Sequence, residues 1–353
     1  MDTIIFIVKI IVILQLSLIG VLLLSFFTSN IILYYHRKKT ARRITLFTEL
    51  MSNALKNKRY FDASELSKIY INRLEFISFL TVHTEQFTSY EYFPKLIKQL
   101  SQQLLIPLGR ELTYSKHWFK RYTATLAYSY GFEAADEEKL LYLVKDRSLL
   151  IALNAATTLM DAPHYETVSS IIDIFSKGRR LQQSVYSELL LKAKDDISSF
   201  VIKKVTLETD IYTKVFCYRL LARLPKQLVI SDAAKRDLLS TSKDLKIAVL
   251  YAMNHTKDEH REAIILSVAT TPDLPWELKA AVAKILGNYS SKESIEVLKK
   301  LLYDTQWWVR LNAAQSLAQL GENGIAMLQA ESANMDNQLL KITQNIVKTR
   351  AME

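Results

Sequence analysis

A pattern that returns every 30–33 residues from about residue 100 onward constrains this chain more than anything else in it. Its clearest copy is Lys292–Gly321, KESIEVLKKLLYDTQWWVRLNAAQSLAQLG. Ile295, Leu298, Leu301 and Leu302 fall three or four apart, the spacing that gathers side chains on one helical face. Asp304 follows, where an acid can accept the free N–H groups of a helix's first turn. Val309, Ala313 and Leu317 then stand at i, i+4 and i+8, with Ala314 beside them. Small alanines let a neighbouring helix approach closely, and Gly321 predicts the end of the helix. The unit reads as two short amphipathic helices joined by a tight turn.

With Asp304 as the register mark, equivalent positions are Tyr114, Asp146, Ser176, Glu208, Ser240, Asp273 and Asp336, with no long insertion between them. Five residues on stand Phe119, Ile151, Leu181, Thr213, Leu245, Leu278, Val309 and Lys341. Thirteen on stand Ala127, Leu159, Leu189, Leu221, Met253, Leu286, Leu317 and Thr349. The apolar register holds through seven units and fails in the eighth, as a capping repeat would. Six residues after the mark, Lys120, Lys214, Lys246, Lys279 and Arg310 supply a base.

An acid at the turn and a base early in the second helix resemble the HEAT repeat. The fit is best to the short HEAT-like form also found in phycobilisome lyases, and it is carried by Asp304, Val309, Arg310, Ala313, Ala314 and Leu317. The resemblance spans about residues 100–353. It implies an all-α, armadillo-type α-solenoid of helix pairs wound as a right-handed superhelix. It also implies a ladder of acids and bases linking adjacent repeats, through Asp273, Lys279, Asp304 and Arg310 and through Glu208 with Lys214. The units marked by Tyr114, Ser176 and Ser240 depart from that ladder. On this reading residues 106–353 form the array and the aromatic-rich helices of 60–105 cap it.

The formal charge of +10 raises nucleic acid as a partner, but its placement argues otherwise. Residues 36–59 hold eight Lys and Arg against Glu49, a net +7, and residues 1–35 are balanced, which leaves only +3 for 60–353. No long basic groove for a duplex is implied. From Ile10 to Tyr35 run 26 uncharged, largely aliphatic residues, enough to cross a hydrocarbon core about 30 Å thick as a helix. The stretch is too long for the apolar region of a signal peptide and lacks its positive leader, so an uncleaved transmembrane helix is expected. Residues 1–9 would lie outside. The basic segment 36–59 places the body in the cytoplasm at the inner membrane, with Arg37, Lys38, Lys39, Arg42 and Arg43 against the lipid head groups.

Catalytic patterns are missing from the sequence. His255 and His260 are five apart and do not share a helical face, and no metal-ligand spacing surrounds them. The seven glycines make no phosphate-cradling loop. Cys217, the single cysteine, falls at the Ala313 position of its unit and reads as a small buried residue. No metal, no cofactor and no enzymatic activity are expected. What remains is a surface. Positions four, eight and eleven after the mark share one side of each second helix, the side that lines the concave face in HEAT arrays. They carry Trp118, Tyr122, Tyr212, Phe216, Arg219, Tyr251 and Trp308, residue types that concentrate binding energy at interfaces. The expectation is a single-pass membrane scaffold gripping a membrane protein or membrane-associated complex, of the kind that accompanies envelope or polysaccharide-synthesis enzymes. The alternatives are a bilin-handling enzyme like the phycobilisome lyases and, less favoured by charge, a nucleic-acid-binding array.

Overall fold

The computed structural model describes residues 2–193, 196–224, 231–255, 259–331 and 341, and among them every regular element is helical. The chain forms two compact units, Met1–Asp136 and Glu137–Glu353.

In the first unit, α1 (Asp2–Lys56) is one unbroken helix. The side chains of residues 17–35 are exposed, whereas Phe47, Met51, Ala54 and Leu55 are buried. The change follows from the sequence: aliphatic residues surround the helix on all sides up to Tyr35, then retreat to a single stripe. A reciprocal capping box between Asp62 and Glu65 starts α2 (Ala63–Ile71), and Arg59 clamps the Glu65 carboxylate with both guanidinium nitrogens at 2.6 and 2.7 Å. The stripe of α1 meets α3 (Arg73–His83) through aromatic rings: Phe47 lies edge-on to Phe76 at 5.0 Å and against Phe79 at 5.4 Å. Pro94 sits in the first turn of α4 (Phe93–Leu100), where its missing N–H has no helical partner to lose. A π-turn over Ser101–Leu105 joins α4 directly to α5 (Ile106–Leu112). Pro107 is the physical cause, because it has no N–H for the ladder and its ring crowds the carbonyl of Gln103. The expected boundary at 105/106 therefore falls within continuous helix. The unit closes with α6 (Trp118–Tyr128), where Gly109 is required: a Cβ there would stand 2.9 Å from the buried Tyr128 ring.

The second unit alternates first and second helices: α7 (Glu137–Val144) with α8 (Leu149–Leu159), α9 (Tyr165–Ser176) with α10 (Arg180–Leu191), and α11 (Ser198–Leu207) with α12 (Ile211–Leu221). Then come α13 (Ser231–Leu238) with α14 (Lys243–Asn254), α15 (Arg261–Ala269) with α16 (Trp276–Leu286), α17 (Lys292–Leu301) with α18 (Trp307–Gln319), and α19 (Glu322–Glu331). Second helices pack in succession, α8 on α10, then α12, α14, α16 and α18, while α7, α9 and α11 do the same in the other layer. This is an α-solenoid of helix pairs, in which each pair completes its core against its neighbours.

The repeat register maps directly onto burial. Thirteen residues after the mark, Leu159, Leu221, Met253, Leu286 and Leu317 are buried and Leu189 half-buried; Ala127 of the first unit is buried too. Five after it, Ile151, Thr213, Leu245, Leu278 and Val309 are buried, whereas Phe119 is exposed, as is Lys341. Asp336, Thr349 and the Leu181 side chain lie outside the described residues. The expected cap is displaced, however. Helices α8, α12, α14, α16 and α18 take their N-caps two residues past the mark, at Ser148, Asp210, Ser242, Pro275 and Gln306. The marks work one step earlier. Asp146, Glu208, Ser240 and Asp304 accept the N–H of residue i+2 at 2.9, 2.9, 3.1 and 2.8 Å. They hold the turn, and the helix starts behind it. Gly321 ends α18 at φ +81°, and Gly287 lets α16 and α18 close up, since a Cβ there would come within 2.9 Å of the Ser316 backbone.

Candidate functional site

The acid–base ladder exists, with partners partly different from those expected. Lys279 reaches into the next repeat and donates to the Asp304 carboxylate at 2.8 Å. Arg310 donates to the Asp304 backbone carbonyl at 3.2 Å. Asp273 has left-handed backbone, φ +53°, and the rung through Lys279 runs to Asp304. Glu208 does not face Lys214. It pairs with Lys204 at 2.9 Å, and Lys204 also holds Asp173 of the preceding repeat at 2.7 Å. Lys214 turns the other way, to Asp237 at 2.6 Å, and the same carboxylate accepts the buried Tyr218 hydroxyl at 2.7 Å. Asp173 and Asp237 each stand three residues before a serine mark. On the last turn of its first helix Asp237 takes the side of the missing acid and restores the rung to Lys214, whereas Asp173 meets Lys204 on the next first helix.

Burial would raise the Asp304 pKa, but the Lys279 ammonium and the Gln306 N–H outweigh it and hold the carboxyl below the usual range. A carboxyl lowered in the folded state stabilises fully above its unfolded pKa of about 3.9, and that contribution disappears as pH falls through the lowered folded value. Acid titration of the native array should therefore show a stability loss below about pH 4 that is smaller in Asp304→Asn. Equal acid slopes in the two proteins would refute the rung's contribution.

Cys217 is fully buried, and burial pushes its thiol pKa upward. Thiol reagents should label the native protein at least about 100-fold more slowly than the unfolded chain, since opening this segment costs on the order of 3 kcal/mol or more. Rapid labelling of the native protein would contradict that placement.

The seven candidate binding residues divide three ways. Trp118, Tyr212 and Trp308 are 60%, 75% and 57% exposed. Trp118 and Tyr122 form a tilted ring pair within the first unit, at 6.5 Å. Phe216 is a correction: at 1% exposure it is a core residue, closed in by the packing of α12 against its neighbours. Only its edge reaches a surface. That surface is a groove of about 380 Å³ across α10, α12 and α14. Phe216, Arg219 and Tyr251 line it, so three of the seven converge there.

The groove is the predicted face of three consecutive second helices. Arg180, Ser184 and Ser187 occupy positions four, eight and eleven of one repeat, Phe216 and Arg219 positions eight and eleven of the next, and Tyr251 position eleven of the third. One turn further along, Arg223 and His255 stand at position fifteen of their repeats. The sequence reading stopped at position eleven and missed them; a fourth helical step on the same face would have found both. Gln183 fixes the start of α10 by donating to the Ser176 and Gly178 carbonyls at 2.7 and 3.0 Å. Burial, reinforced by the Arg180 charge and opposed by Asp244, lowers the Arg219 pKa. Burial raises that of Tyr251, and Lys284 of the next repeat lies 5.8 Å over its ring. Chemically this is a cationic trough with an aromatic wall.

Comparison with known proteins decides what the pairs are. Residues 265–339 match the model for HEAT repeats. The carboxy-terminal pairs are HEAT repeats. No curated protein matches the chain. Among solved structures, human deoxyhypusine hydroxylase in complex with glycerol is 15% identical, with a TM-score of 0.30, covering 72% of this chain and 99% of that one. A structure of microtubule polymerases with TOG domain arrays is 10% identical, with a TM-score of 0.29, covering 88% and 98%. Likeness this slight carries no argument about what the HEAT array does.

Proposed function

We propose that this protein is a non-enzymatic scaffold, held by a single transmembrane helix at the cytoplasmic face of a membrane, whose HEAT array binds a membrane-associated protein complex. One observation carries the anchoring: every residue of α1 from 17 to 35 is exposed, yet the same helix continues into the packed core at Phe47 and Met51. A core helix of this hydropathy would be covered, and exposed aliphatic surface of this extent needs a non-aqueous environment. The unbroken run into a core favours an anchor over a leader peptide, since cleavage near Tyr35 would divide a single helix. Between membrane and core, Tyr35, Lys38, Lys39, Arg42, Arg43 and Leu46 line one cationic recess, chemistry suited to anionic head groups. Tethering raises the array's effective concentration toward other membrane components, and an envelope or polysaccharide-synthesis assembly is the partner class we favour.

The test is fractionation of membranes carrying the full chain. Alkaline carbonate should leave it in the pellet, and protease should digest the HEAT array only in vesicles whose cytoplasmic side faces out. A Leu22→Arg, Leu23→Arg variant should shift to the soluble fraction, because each arginine at mid-membrane costs about 2.5–3.5 kcal/mol. Carbonate-soluble wild type, or a mature chain beginning after Tyr35, would overturn the anchor.

A further inference from the structure

The α10–α12–α14 groove has a charge pattern its surroundings lack. Its lining includes Arg180, Arg219, Arg223 and His255 and no carboxylate. The neighbouring recess between α8 and α10 is mixed, with Asp161 and Glu188 beside Lys192. Among the described residues, two carboxylates bear on the groove's arginines. Glu188 pairs with Arg223, and Asp244 acts on Arg219 without forming an ion pair among the described residues. Half-buried Arg219 is the informative group. Guanidinium groups are almost always matched when removed from water, because an unpaired buried charge is costly and a planar fork is made to receive a carboxylate. The charges that act on it are Arg180, of like sign, and Asp244. Two arginines lining one groove raise each other's free energy, and an arriving anion relieves it.

Shape narrows the choice of anion. The floor is the Phe216 edge and the wall is Tyr251, so an occupant presents apolar atoms as well as charge. The basic side chains recur along successive helices, Arg180 on α10, Arg219 and Arg223 on α12 and His255 at the end of α14, and not around a single point. Neighbouring helices in such a layer stand about 8–10 Å apart. An extended peptide advances about 6.6–6.8 Å every two residues, so alternate or every-third side chains meet successive helices. A compact phosphate would meet one cation pair and leave the rest.

We propose that this groove receives an extended acidic segment of the protein partner, with Asp or Glu side chains on Arg180 and Arg219 and an apolar or aromatic residue against Tyr251. The assignment rests on the scaffold reading for the existence of a partner, and it adds where the partner is gripped and by what chemistry.

The experiment uses the full chain in nanodiscs and a fluorescein-labelled decapeptide alternating glutamate with serine and containing one central phenylalanine. Anisotropy should show saturable binding that weakens at least 10-fold between 50 and 200 mM salt. Arg180→Gln with Arg219→Gln should weaken it at least 10-fold further, Arg219→Lys should restore part of it, and Tyr251→Ala should reduce affinity with little change in salt dependence. Arg180→Glu alone, at an exposed position, guards against misfolding as the cause of loss. Charge removal in the recess of Lys38, Lys39 and Arg42 should leave peptide affinity unchanged. Absent binding, or binding indifferent to Arg180 and Arg219, overturns the proposal, as does inorganic phosphate competing at the same concentration as the peptide. Co-purification of membrane proteins with the wild-type chain is read separately. If it survives in the Arg180→Gln, Arg219→Gln variant while the peptide fails to bind wild type, the scaffold stands and this groove is not its grip. If nothing co-purifies, the scaffold reading itself fails.

Discussion

Replacing Asp237 by alanine should destabilise the middle of the array by about 3–5 kcal/mol, the usual result of removing one partner from a buried charged network. The carboxylate is 8% exposed, accepts from Lys214 Nζ at 2.6 Å and from Tyr218 Oη at 2.7 Å, and joins α13 to α12 through both. Alanine leaves a fully buried tyrosine hydroxyl with no acceptor and a lysine that must find water from a mostly covered position. Cys217, next to Tyr218, provides the readout, because its labelling requires this segment to open. A loss of about 3 kcal/mol predicts labelling on the order of 100-fold faster than in the native protein. Asp237→Asn, which keeps one acceptor for the tyrosine, should lie between. If the alanine variant labels at the native rate, Asp237 is not holding these helices together.

Phe76→Ala should cost the first unit about 3–5 kcal/mol, through the lost transfer energy of the ring and the cavity it leaves. Phe76 is fully buried and touches Phe47 of α1 at 5.0 Å and Phe79 at 6.0 Å, within a cluster that extends to Phe87. Rigid rings on three segments collapse poorly into a void, so the upper part of the range is expected. The loss should appear in hydrogen exchange of residues 42–112, with the Cys217 labelling rate unchanged, because stability in repeat arrays is largely local. Uniform loosening of the whole chain would show instead that the two units unfold as one. Membrane retention should persist in this variant, since the apolar part of α1 does not depend on that core.

How much of this was legible beforehand differs from element to element. Leu159, Leu221, Leu286 and Leu317 announced their burial by recurring thirteen residues after each mark, because a repeated helix pair must present the same stripe to its neighbour each time. Lys279 with Asp304 was legible for the same reason. The rungs through Asp173 and Asp237 were not. Their acids come three residues before the mark, on the first helix, and only the packing of one helix on the next shows that they meet Lys204 of α11 and Lys214 of α12. Phe216 looked like its neighbours on a helical wheel; its burial depends on how closely α10 and α14 approach α12, which no single helix encodes. Arg223 and His255 joined the groove by the same approach of three helices.

What the sequence alone determined is the class of object. A 30–33-residue period with small residues facing each other can close its core only by stacking pairs, and 26 uncharged residues ahead of a basic cluster are long enough to cross a membrane as a helix. What the tertiary structure decided is which charges are matched. Ion pairing depends on distances of a few ångströms between helices that lie more than 20 residues apart in the chain. The same distances set Lys214 on Asp237 and left Arg219 beside Arg180, so the cationic groove is a product of packing.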